Sequence, residues 1–367
     1  MTDLPETSRA VVYDPDDDSL TVRSLPIRAV RPGEILVRVT LSAICGSDLH
    51  TITGRRRPRG PLVLGHEICG TVVQLGEGVE RDSAGEPLST GDRVTWSIAA
   101  SCGTCFFCTH GIPQKCESLF KYGHEDIHTD PPLNGGFAEH VYLMPGTAVH
   151  RLGDDLTDDT AVFANCSLAT MAAAVRLADV QRGESVLIQG AGLVGVCATA
   201  LSADRGAGAV MVVDVDADRL ERARRFGATH VHRAAERDED AFREAVAAAT
   251  GGRGFDVAIE VCGQPEVLAP GVESLRIGGR YVVAGCVFPG AAATLDVYGI
   301  ITRLIRIIGL HNYTPADLQM ALAFLAGPGR AYPFDRVVEA HYPLDEIAAA
   351  LEQINRRKDI LRVALAP

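Results

Sequence analysis

The stretch Val186-Leu-Ile-Gln-Gly-Ala-Gly-Leu-Val-Gly195 decides the fold of the second half of the chain. Its apolar start predicts a short buried strand, and its glycines predict a tight turn into a helix over Val196–Arg205 that ends at Gly206. The same alternation continues downstream, with strands predicted at Val210–Asp214, Val257–Val261 and Arg280–Ala284 and a helix at Asp218–Phe226. Strands that alternate with helices indicate a parallel, doubly wound sheet.

The glycine turn has the spacing of a dinucleotide-binding site. Gly190, Gly192 and Gly195 follow a predicted strand and open a helix, so the backbone can approach a pyrophosphate at the helix N-terminus. Asp214 ends the next strand, where a carboxylate accepts hydrogen bonds from ribose hydroxyls and repels a 2′-phosphate, and Asp216 adds to that repulsion. The pattern predicts NAD, because a site for NADP usually has a small residue at the position of Asp214 and an arginine next to it. A doubly wound domain without nucleotide is the other interpretation.

Composition limits the class of protein. With 367 residues, the chain exceeds the usual size of one hydrophobic core, which predicts two domains. The formal net charge of −12 argues against a nucleic-acid partner. Met1–Ala10 lacks the apolar core of an export signal, and no apolar run reaches the roughly 18 residues of a membrane helix. We expect a cytoplasmic protein whose ten cysteines are reduced thiols and metal ligands.

The first half of the chain is rich in β-strand signals. Apolar or alternating runs at Glu34–Thr40 and Gly70–Leu75 lie between turns that contain proline and glycine. Alanine-rich sequence with helical periodicity begins near residue 168. Mixed sequence returns after about residue 309, with helices predicted at Pro315–Leu325 and Leu344–Asn355. A β-rich part therefore precedes the β-α alternation, and a further segment follows it.

Four cysteines fall within fifteen residues, in the pattern C-x2-C-x2-C-x7-C. They are Cys102, Cys105, Cys108 and Cys116. Four thiolates that converge on one ion make the closed tetrahedral shell of a structural zinc. Iron–sulfur runs of the ferredoxin type have a shorter last gap, and Gly111 and Pro113 suit a lobe that folds back around an ion. The cluster predicts structural zinc.

A second set of ligand-type residues is dispersed. Cys45 lies in Cys45-Gly-Ser-Asp-Leu-His50, His66 and Glu67 lie in Gly65-His-Glu67, and Cys166 lies in Ala164-Asn-Cys-Ser167. Two thiolates and one imidazole leave the fourth position of zinc open, and such a metal acts as a Lewis acid on an alcohol or carbonyl oxygen. Taken alone, Cys166 is also explained as a small buried residue.

In their order along the chain, these motifs resemble the zinc-containing medium-chain alcohol dehydrogenase family, and the resemblance spans nearly the whole sequence. It implies an NAD-dependent oxidoreductase that acts on an alcohol and its carbonyl, with two zinc ions per chain. It also implies a GroES-like β-rich catalytic domain, residues 1–167 and 309–367, around a Rossmann nucleotide domain at 168–308. Homodimers or homotetramers are expected.

The resemblance also implies roles for individual residues. Cys45, His66 and Cys166 match the catalytic zinc ligands, Ser47 the hydroxyl that bonds the substrate oxygen, and His50 the outer end of a proton relay through the cofactor ribose. The other implied positions are Asp48 and Glu67 behind the ligands, Thr170 beside the nicotinamide, Arg362 at the pyrophosphate, and Leu193, Val194 and Arg219 in the cofactor site. Many family members carry a basic residue after the first cysteine, whereas this chain has Gly46, as polyol- and threonine-dehydrogenase-like members do.

A closer resemblance is to a subgroup proposed as phosphonate-catabolism-associated alcohol dehydrogenases. It rests on the segments 92–97, 113–117, 119–125 and 309–313. Arg55, Arg56 and Arg57 lie in a loop between two ligand motifs, and arginine forks bind phosphonate or sulfonate oxygens. A solvated loop or a subunit contact is the other interpretation of these arginines. Trp96 is predicted to line the pocket, and core packing explains it equally well.

Two rival functions remain open at this point. The first is a polyol or amino-alcohol dehydrogenase with a neutral substrate, which Gly46 allows and which does not require the arginine loop. The second is a non-catalytic module that binds zinc and nucleotide. A non-catalytic module is expected to have lost ligands or relay residues, yet Ser47, His50 and all three ligand positions are present.

Overall fold

The computed structural model describes residues 4–234, 238–357 and 359–367. The chain divides into two compact units. The first contains residues up to Cys166 together with Thr314–Ala326 and Asp335–Pro367, and the second contains Ser167–Tyr313 and Gly327–Phe334. The predicted return segment 309–367 differs from this division, because residues 309–313 and Gly327–Phe334 belong to the second unit. Within that unit, the ring centroids of Phe334 and Phe226 lie 5.0 Å apart.

The first unit is mainly β-structure. Its elements are β1 (Thr7–Asp14), β2 (Ser19–Pro26), β3 (Ile35–Ala43), α1 (Gly46–Ile52), β4 (Leu62–Val63), β5 (Glu67–Leu75), β6 (Arg93–Ala100), α2 (Phe106–Thr109), β7 (Phe120–Lys121), β8 (His140–Leu143), β9 (Thr147–Arg151) and α3 (Asp158–Ala161). Later in the sequence it gains α10 (Pro315–Ala326), β16 (Val338–Tyr342), α11 (Ile347–Arg356) and β17 (Arg362–Leu365).

Strand pairing in the first unit brings distant sequence segments together. The larger sheet has the order β16-β17-β3-β5-β6-β7, with β8 paired to β3 and β9 to β6, and a smaller sheet has the order β2-β1-β4. Ala43, at the end of β3, pairs with Glu67 at the start of β5 and also with Ala364 of β17. The residues that follow β3, precede β5 and begin β17 therefore meet at one end of the sheet.

The second unit is the predicted alternation of strands and helices. Its elements are α4 (Ala169–Ala178), β10 (Ser185–Gln189), α5 (Leu193–Asp204), β11 (Ala209–Asp214), α6 (Ala217–Arg225), β12 (His230–Arg233), α7 (Glu239–Thr250), β13 (Phe255–Glu260), α8 (Leu268–Glu273), β14 (Leu275–Val283), α9 (Val297–Thr302) and β15 (Arg306–Gly309). All neighbouring strands are parallel, in the order β12-β11-β10-β13-β14-β15. The order reverses beside β10, as in the Rossmann fold, which confirms the predicted fold class.

One helical stretch, Asp158–Ala178, is long and apolar enough to cross a membrane, with a mean hydropathy of 1.5 in its most apolar window. It consists of α3, α4 and the irregular turn between them. In the structure 78% of that window is buried inside the protein. Burial on this scale is typical of a core helix.

Candidate active site and metal centres

The four-cysteine cluster forms a lobe with almost no apolar packing of its own. The short helix α2 in it has no buried residue, and Phe106 at its start is mostly exposed. The four thiols nevertheless converge, since their sulfur atoms all lie within 4.8 Å of one another. The shape of the lobe therefore follows the sulfur cluster more than a hydrophobic core.

The sulfur spacing in the lobe fits a tetrahedral ion. Cys102 and Cys108 have their sulfurs 4.0 Å apart, and Cys105 and Cys116 have theirs 3.9 Å apart. Four sulfurs at about 2.3 Å from a zinc lie about 3.8 Å from one another. Backbone N–H groups from Thr104 and Cys105 donate to the Cys102 sulfur and lower the pKa of that thiol to about 5, which favours the thiolate that binds metal.

The second ligand set is assembled by the end of the larger sheet and an irregular helical turn. Cys45 is the N-cap of α1 directly after β3, and His66 directly precedes β5. Cys166 lies in a π-helical turn, Ala164–Leu168, and such turns often occur at functional sites. In the same turn the Asn165 side-chain amide donates to the His66 carbonyl at 3.0 Å, which fixes the turn to the histidine.

The ligand atoms of Cys45, His66 and Cys166 lie within 4.8 Å of one another. His66 is 1% exposed and Cys45 is 9% exposed. The buried carboxylate of Asp48 supports both, because it accepts a hydrogen bond from the Cys45 backbone N–H at 2.9 Å and lies 3.2 Å from His66 Nδ1. This contact leaves Nε2 of the imidazole for a metal, which is the usual role of a carboxylate behind a ligating histidine.

Glu67 and Arg362 form a buried ion pair next to the same ligands. Arg362 donates to both carboxylate oxygens of Glu67, at 2.6 and 2.8 Å, and its Nη2 lies 3.7 Å from the Cys45 sulfur. The family resemblance assigned Arg362 to the pyrophosphate, and that contact stays a prediction. In the structure the guanidinium braces a metal-ligand shell, a role that the sequence did not reveal.

Charge around the ligands favours the thiolate form of Cys45. A hydrogen bond from the Cys166 thiol lowers the pKa of Cys45 well below its usual value, and Arg362 and His66 lower it further. The pKa of Cys166 is raised in turn by that hydrogen bond and by burial. Although burial lowers the pKa of His66, Asp48 and Cys45 raise it to about 10. Without metal, the three ligands therefore share protons, and a divalent cation would replace those protons.

Ser47 and His50 lie in the helix α1, which begins beside Cys45. The Ser47 hydroxyl is 3.0 Å from His66 Nε2, the atom available to a metal. His50 lies one helical turn further on and is partly exposed. Burial, followed by the charges of Arg55 and Arg56, lowers the pKa of His50. The structure thus brings the predicted hydroxyl to the ligand set and leaves the predicted relay histidine within reach of solvent.

The glycine turn of the second unit has the form of a nucleotide cradle. Gly192 is the N-cap of α5, and a Cβ atom there would meet no atom within 4 Å, so the turn is open for a ligand. Gly190 has a φ of +113°, and a Cβ at Gly195 would lie 1.9 Å from the Gly190 carbonyl oxygen. Leu193 and Val194 continue the turn as the first residues of α5. Backbone N–H groups at such a helix start bind phosphate.

The acidic residues predicted to select the cofactor lie after β11. Asp214 accepts hydrogen bonds from the Ala191 N–H at 2.7 Å and the Asp216 N–H at 3.0 Å, so its carboxylate is fixed against the glycine turn. Asp216 caps α6 by accepting from the N–H groups of Asp218 and Arg219. Thr170 lies in α4 and is partly buried. The cofactor contacts of Thr170 and Arg219 stay predictions.

The predicted substrate residues separate in the structure. Arg56 donates to the Ser47 carbonyl at 2.9 Å, which places its guanidinium beside the ligand set. Arg57 instead donates to the Pro15 carbonyl at 2.7 Å, and Arg55 is exposed. Trp96 is fully buried and packs in a core cluster of the first unit, so the prediction that it lines the pocket is wrong. Trp96 packs in the core because β6, the strand that contains it, is buried along most of its length.

Two further polar residues near the ligands were not singled out from the sequence. The His124 ring lies 5.4 Å from the His66 ring, between centroids. The charges of Cys45, Cys166 and Arg56 all act on Lys121, which is partly buried. Both belong to the segment 119–125, which contributed only to the subgroup resemblance. No spacing rule links this segment to a metal site, since the fold alone brings it there.

Comparisons with known proteins agree with this fold. The alcohol dehydrogenase GroES-like domain matches residues 31–154, and the zinc-binding dehydrogenase domain matches residues 194–327. A 5-exo-hydroxycamphor dehydrogenase from Pseudomonas putida is 30% identical over 334 residues, 90% of this chain and 91% of that protein. A sorbitol dehydrogenase from Bacillus subtilis is 29% identical over 99% of this chain and 98% of its own. The crystal structure of a Thermotoga maritima alcohol dehydrogenase has a TM-score of 0.90 at 28% identity and covers 98% of this chain and 99% of its own.

The fold and the matched domains define a zinc-binding dehydrogenase with a GroES-like and a Rossmann domain. The chain belongs to the zinc-containing medium-chain alcohol dehydrogenase family. It is therefore an oxidoreductase, and zinc and NAD are the cofactors to which its family points. The comparisons support the family and not the phosphonate-associated subgroup, which stays a prediction.

Proposed function

We propose that the chain is an NAD-dependent alcohol dehydrogenase whose catalytic zinc is held by Cys45, His66 and Cys166. The observation that carries this proposal is the convergence of three ligand atoms within 4.8 Å, with the Ser47 hydroxyl 3.0 Å from His66 Nε2. Three protein ligands leave one position of a tetrahedral zinc open, which is the arrangement of catalytic zinc sites. The four cysteines of the lobe would hold a second zinc, which has no open position.

When bound, zinc supplies a Lewis acid for the alcohol or carbonyl oxygen, and NAD accepts or returns the hydride. The residues of the chain orient the substrate and move the proton that alcohol oxidation releases. The Ser47 hydroxyl would accept this proton while giving up its own, and His50 would pass the released proton to solvent. Asp48 and Arg362 keep Cys45 and His66 in place during these steps.

The cofactor and the compartment follow from features of the second unit and of the cysteines. Asp214 is fixed against the glycine turn by the Ala191 N–H, where its charge opposes a 2′-phosphate. We therefore expect kcat/KM to be higher with NAD than with NADP. All ten cysteines are free thiols, and seven are assigned to zinc, which supports a reducing compartment such as the cytoplasm.

A metal count combined with two variants tests the proposal. The purified protein should contain two zinc ions per chain by elemental analysis. Cys166→Ala should retain one zinc and lose NAD-linked oxidation of alcohols, whereas Cys108→Ser should lose the other zinc. A wild-type protein with one zinc, together with a Cys166→Ala variant that keeps both its zinc and its activity, would refute the catalytic site.

A neutral polyol is the second candidate substrate. The sorbitol dehydrogenase relative covers nearly the whole chain, and Gly46 matches polyol-type members. NADH absorbance, recorded with a panel of neutral polyols and charged alcohols, separates neutral from charged substrates. Sorbitol turnover that exceeds turnover of every charged alcohol would favour this candidate.

A further inference from the structure

Lys121 is a cation without an acidic partner near the candidate catalytic metal. It ends β7, pairs with Ala99 of β6 and is only partly exposed. No carboxylate among the residues that the structure describes lies within ion-pair distance of its ammonium group. The charges that act on it are those of Arg56, Lys115 and the thiols of Cys45 and Cys166. Taking an ammonium out of water is costly unless an opposite charge compensates for it.

Arg56 is a second cation at the same place. Its Nη2 donates to the Ser47 carbonyl and to the Thr51 hydroxyl, each at 2.9 Å, and its Nε donates to that hydroxyl at 3.3 Å. Neutral oxygens thus fix the guanidinium, and no ion pair holds it among the described residues. Asp48 acts on it electrostatically, but that carboxylate is already hydrogen-bonded at Cys45.

His124 adds a buried acceptor to these two cations. Its Nδ1 donates to the Tyr122 carbonyl at 2.8 Å, which leaves Nε2 as the nitrogen with a lone pair. Nε2 is buried and has no hydrogen-bond partner in the described part of the chain. Its ring faces His66 at 5.4 Å, and the charges of Lys121 and Arg56 both act on it. Buried acceptors without a partner are uncommon in folded proteins, and a ligand bound beside Nε2 could supply the missing hydrogen.

The charges of the metal shell compensate for at most one of these two cations, because Asp48 is the carboxylate of the shell without a cationic partner among the described residues. In the zinc-bound form, two thiolates offset the charge of the ion, and the charge of Glu67 is offset by Arg362. The Cys45 thiolate, which favours the Lys121 ammonium in the metal-free protein, would then carry no net charge toward it. With one negative charge from Asp48 opposing two positive ones, Lys121 and Arg56 leave a net positive charge beside Ser47 and the ligand set.

We propose that Lys121 and Arg56, with His124, bind an anionic group of the substrate, so that the enzyme acts on an alcohol or aldehyde that carries a carboxylate, sulfonate or phosphonate. This inference rests on the proposed function, because it places the site beside the catalytic zinc. Lys121 supplies a point charge and Arg56 a guanidinium fork, the two usual partners of oxyanions. Of these three groups, only a phosphonate monoanion can also donate a hydrogen to His124 Nε2, since ionised carboxylates and sulfonates carry none.

The three arginines of the loop differ in their relation to this site. Of the three arginines predicted from the sequence, only Arg56 reaches the ligand set, because Arg57 is bonded to the Pro15 carbonyl. The main cation comes instead from Lys121, which is distant in sequence from the loop. The proposed anion site therefore uses one arginine of the loop, Arg56, together with Lys121 and His124.

Matched alcohols test the proposal. The substrates are 3-hydroxypropionate, 2-hydroxyethanesulfonate, 2-hydroxyethylphosphonate and the neutral 1-propanol, each assayed with NAD. Lys121→Met removes the charge with little change in volume, and Lys121→Arg restores a cation. We expect Lys121→Met to lower kcat/KM for the best anionic alcohol about 10- to 100-fold and to change 1-propanol less than about 3-fold. Lys121→Arg should recover part of the loss, and the control Arg38→Met, an exposed cation on β3, should match wild type.

Binding without turnover gives a second measurement. Titration calorimetry with propionate, propanesulfonate and propylphosphonate should show binding to the wild type and weaker binding to Lys121→Met, and the tightest of the three identifies the oxyanion. Equal losses on anionic and neutral alcohols, or no loss on either, would overturn the anion site, as would equal binding by both proteins. Failure of the proposed function is distinguishable, because it would abolish the oxidation of 1-propanol as well and lower the zinc content.

Discussion

At the scale of single residues, one buried carboxylate connects two of the three candidate zinc ligands. Asp48 is fully buried, accepts from the Cys45 N–H and lies 3.2 Å from His66 Nδ1. It also lies 3.4 Å from the Gly65 N–H. Its charge favours the orientation in which the imidazole offers Nε2 to a metal, so we expect metal affinity to depend on it.

Asp48→Asn should weaken zinc binding at the catalytic site about 10- to 100-fold, because the amide loses the charge that orients His66. Competition with a chromophoric chelator measures the affinity of the weaker site. Asp159→Asn is the control, since Asp159 pairs with His341 at 2.7 Å on the surface and should leave zinc binding unchanged. A zinc affinity in Asp48→Asn equal to that of the control would contradict the role of this carboxylate.

The sequence predicted some site residues better than others, for a physical reason. Ligand motifs such as the four cysteines are local, so their spacing alone defines a metal geometry. Arg362 and Glu67 are 295 positions apart, and only sheet pairing brings them together. Lys121 and His124 were likewise not predictable as site residues, because no local sequence pattern relates them to His66. Trp96 was misassigned because an aromatic residue in a strand fits a core and a pocket equally well.

At the scale of elements, two glycines in the ligand motifs differ in what they require. Gly65 precedes His66, has a φ of +90°, and a Cβ there would lie 2.5 Å from Phe137 Cδ1. Gly46 begins α1, and a Cβ there would meet nothing within 4 Å. The turn before β5 therefore needs glycine, whereas the start of α1 does not.

Gly65→Ala should destabilise the protein by about 2 to 4 kcal/mol, from backbone strain and overpacking against Phe137. Gly46→Ala, in the other ligand motif, should be neutral or slightly stabilising, because alanine lowers the entropy of the unfolded chain. The midpoint of thermal unfolding, recorded by circular dichroism on zinc-loaded protein, separates the two variants. If Gly65→Ala unfolds at the same temperature as Gly46→Ala, the close contact with Phe137 does not determine the stability of the protein.

The cysteine lobe is an element whose order should depend on metal. Because α2 has no buried residue, few apolar contacts hold the lobe once zinc is removed. Cys105→Ser should lose the structural zinc, and chymotrypsin should then cleave the variant at Phe106 and Phe107. Mass spectrometry of the digest detects these cleavages. Cys286→Ser, in the second unit, is the control and should stay resistant. A resistant Cys105→Ser variant would show that the lobe folds without its ion.

Most elements of the second unit were predictable, with shifts of a few residues at their ends. The helix predicted at Val196–Arg205 is α5 (Leu193–Asp204), and the strand predicted at Val257–Val261 is β13 (Phe255–Glu260). Apolar strands and glycine turns are local signals, so periodicity finds them. The π-helical turn at Ala164–Leu168 was not predicted, since its hydrogen bonds depend on packing rather than on residue type.

At the scale of the whole molecule, the second unit presents an open strand edge. The edge strand β15 leaves backbone groups unpaired on one side of the sheet. Apolar side chains near it are at least 65% exposed, namely Ile277, Val297, Tyr298, Ile301 and Leu304. The Gly278 N–H donates to the Arg303 carbonyl at 2.7 Å, so these residues lie in one region. An exposed apolar patch beside a strand edge favours pairing with a second copy of the chain.

We predict that wild-type protein sediments as a homodimer or a higher homo-oligomer and that Ile301→Asp shifts it toward monomer, because a buried charge would oppose the contact. Val215→Asp, at an exposed apolar residue after β11, is the matched control and should not change the mass. Analytical ultracentrifugation at micromolar concentration measures both. A monomeric wild type, or an Ile301→Asp variant with the mass of wild type, would exclude this edge as the interface.

The length of the chain predicted two domains, and the family resemblance predicted that one of them is discontinuous. The β-α alternation identified the second unit, since a parallel sheet requires such crossovers. The assignment of Gly327–Phe334 to the second unit was not predictable, because the contact of Phe334 with Phe226 joins segments far apart in sequence. Length and periodicity carry no information about such pairs.

The late position of β17 has a consequence for synthesis on the ribosome. Glu67 receives its guanidinium partner only after 295 further residues have been translated. At about 5 to 20 residues per second, this interval is on the order of 15 to 60 seconds. During that time β3 lacks one of its neighbouring strands, and the nascent chain exposes an edge beside its metal ligands. We expect the nascent chain to need chaperones most while this sheet is incomplete. A premature stop codon that removes β17 should leave a product that proteases degrade.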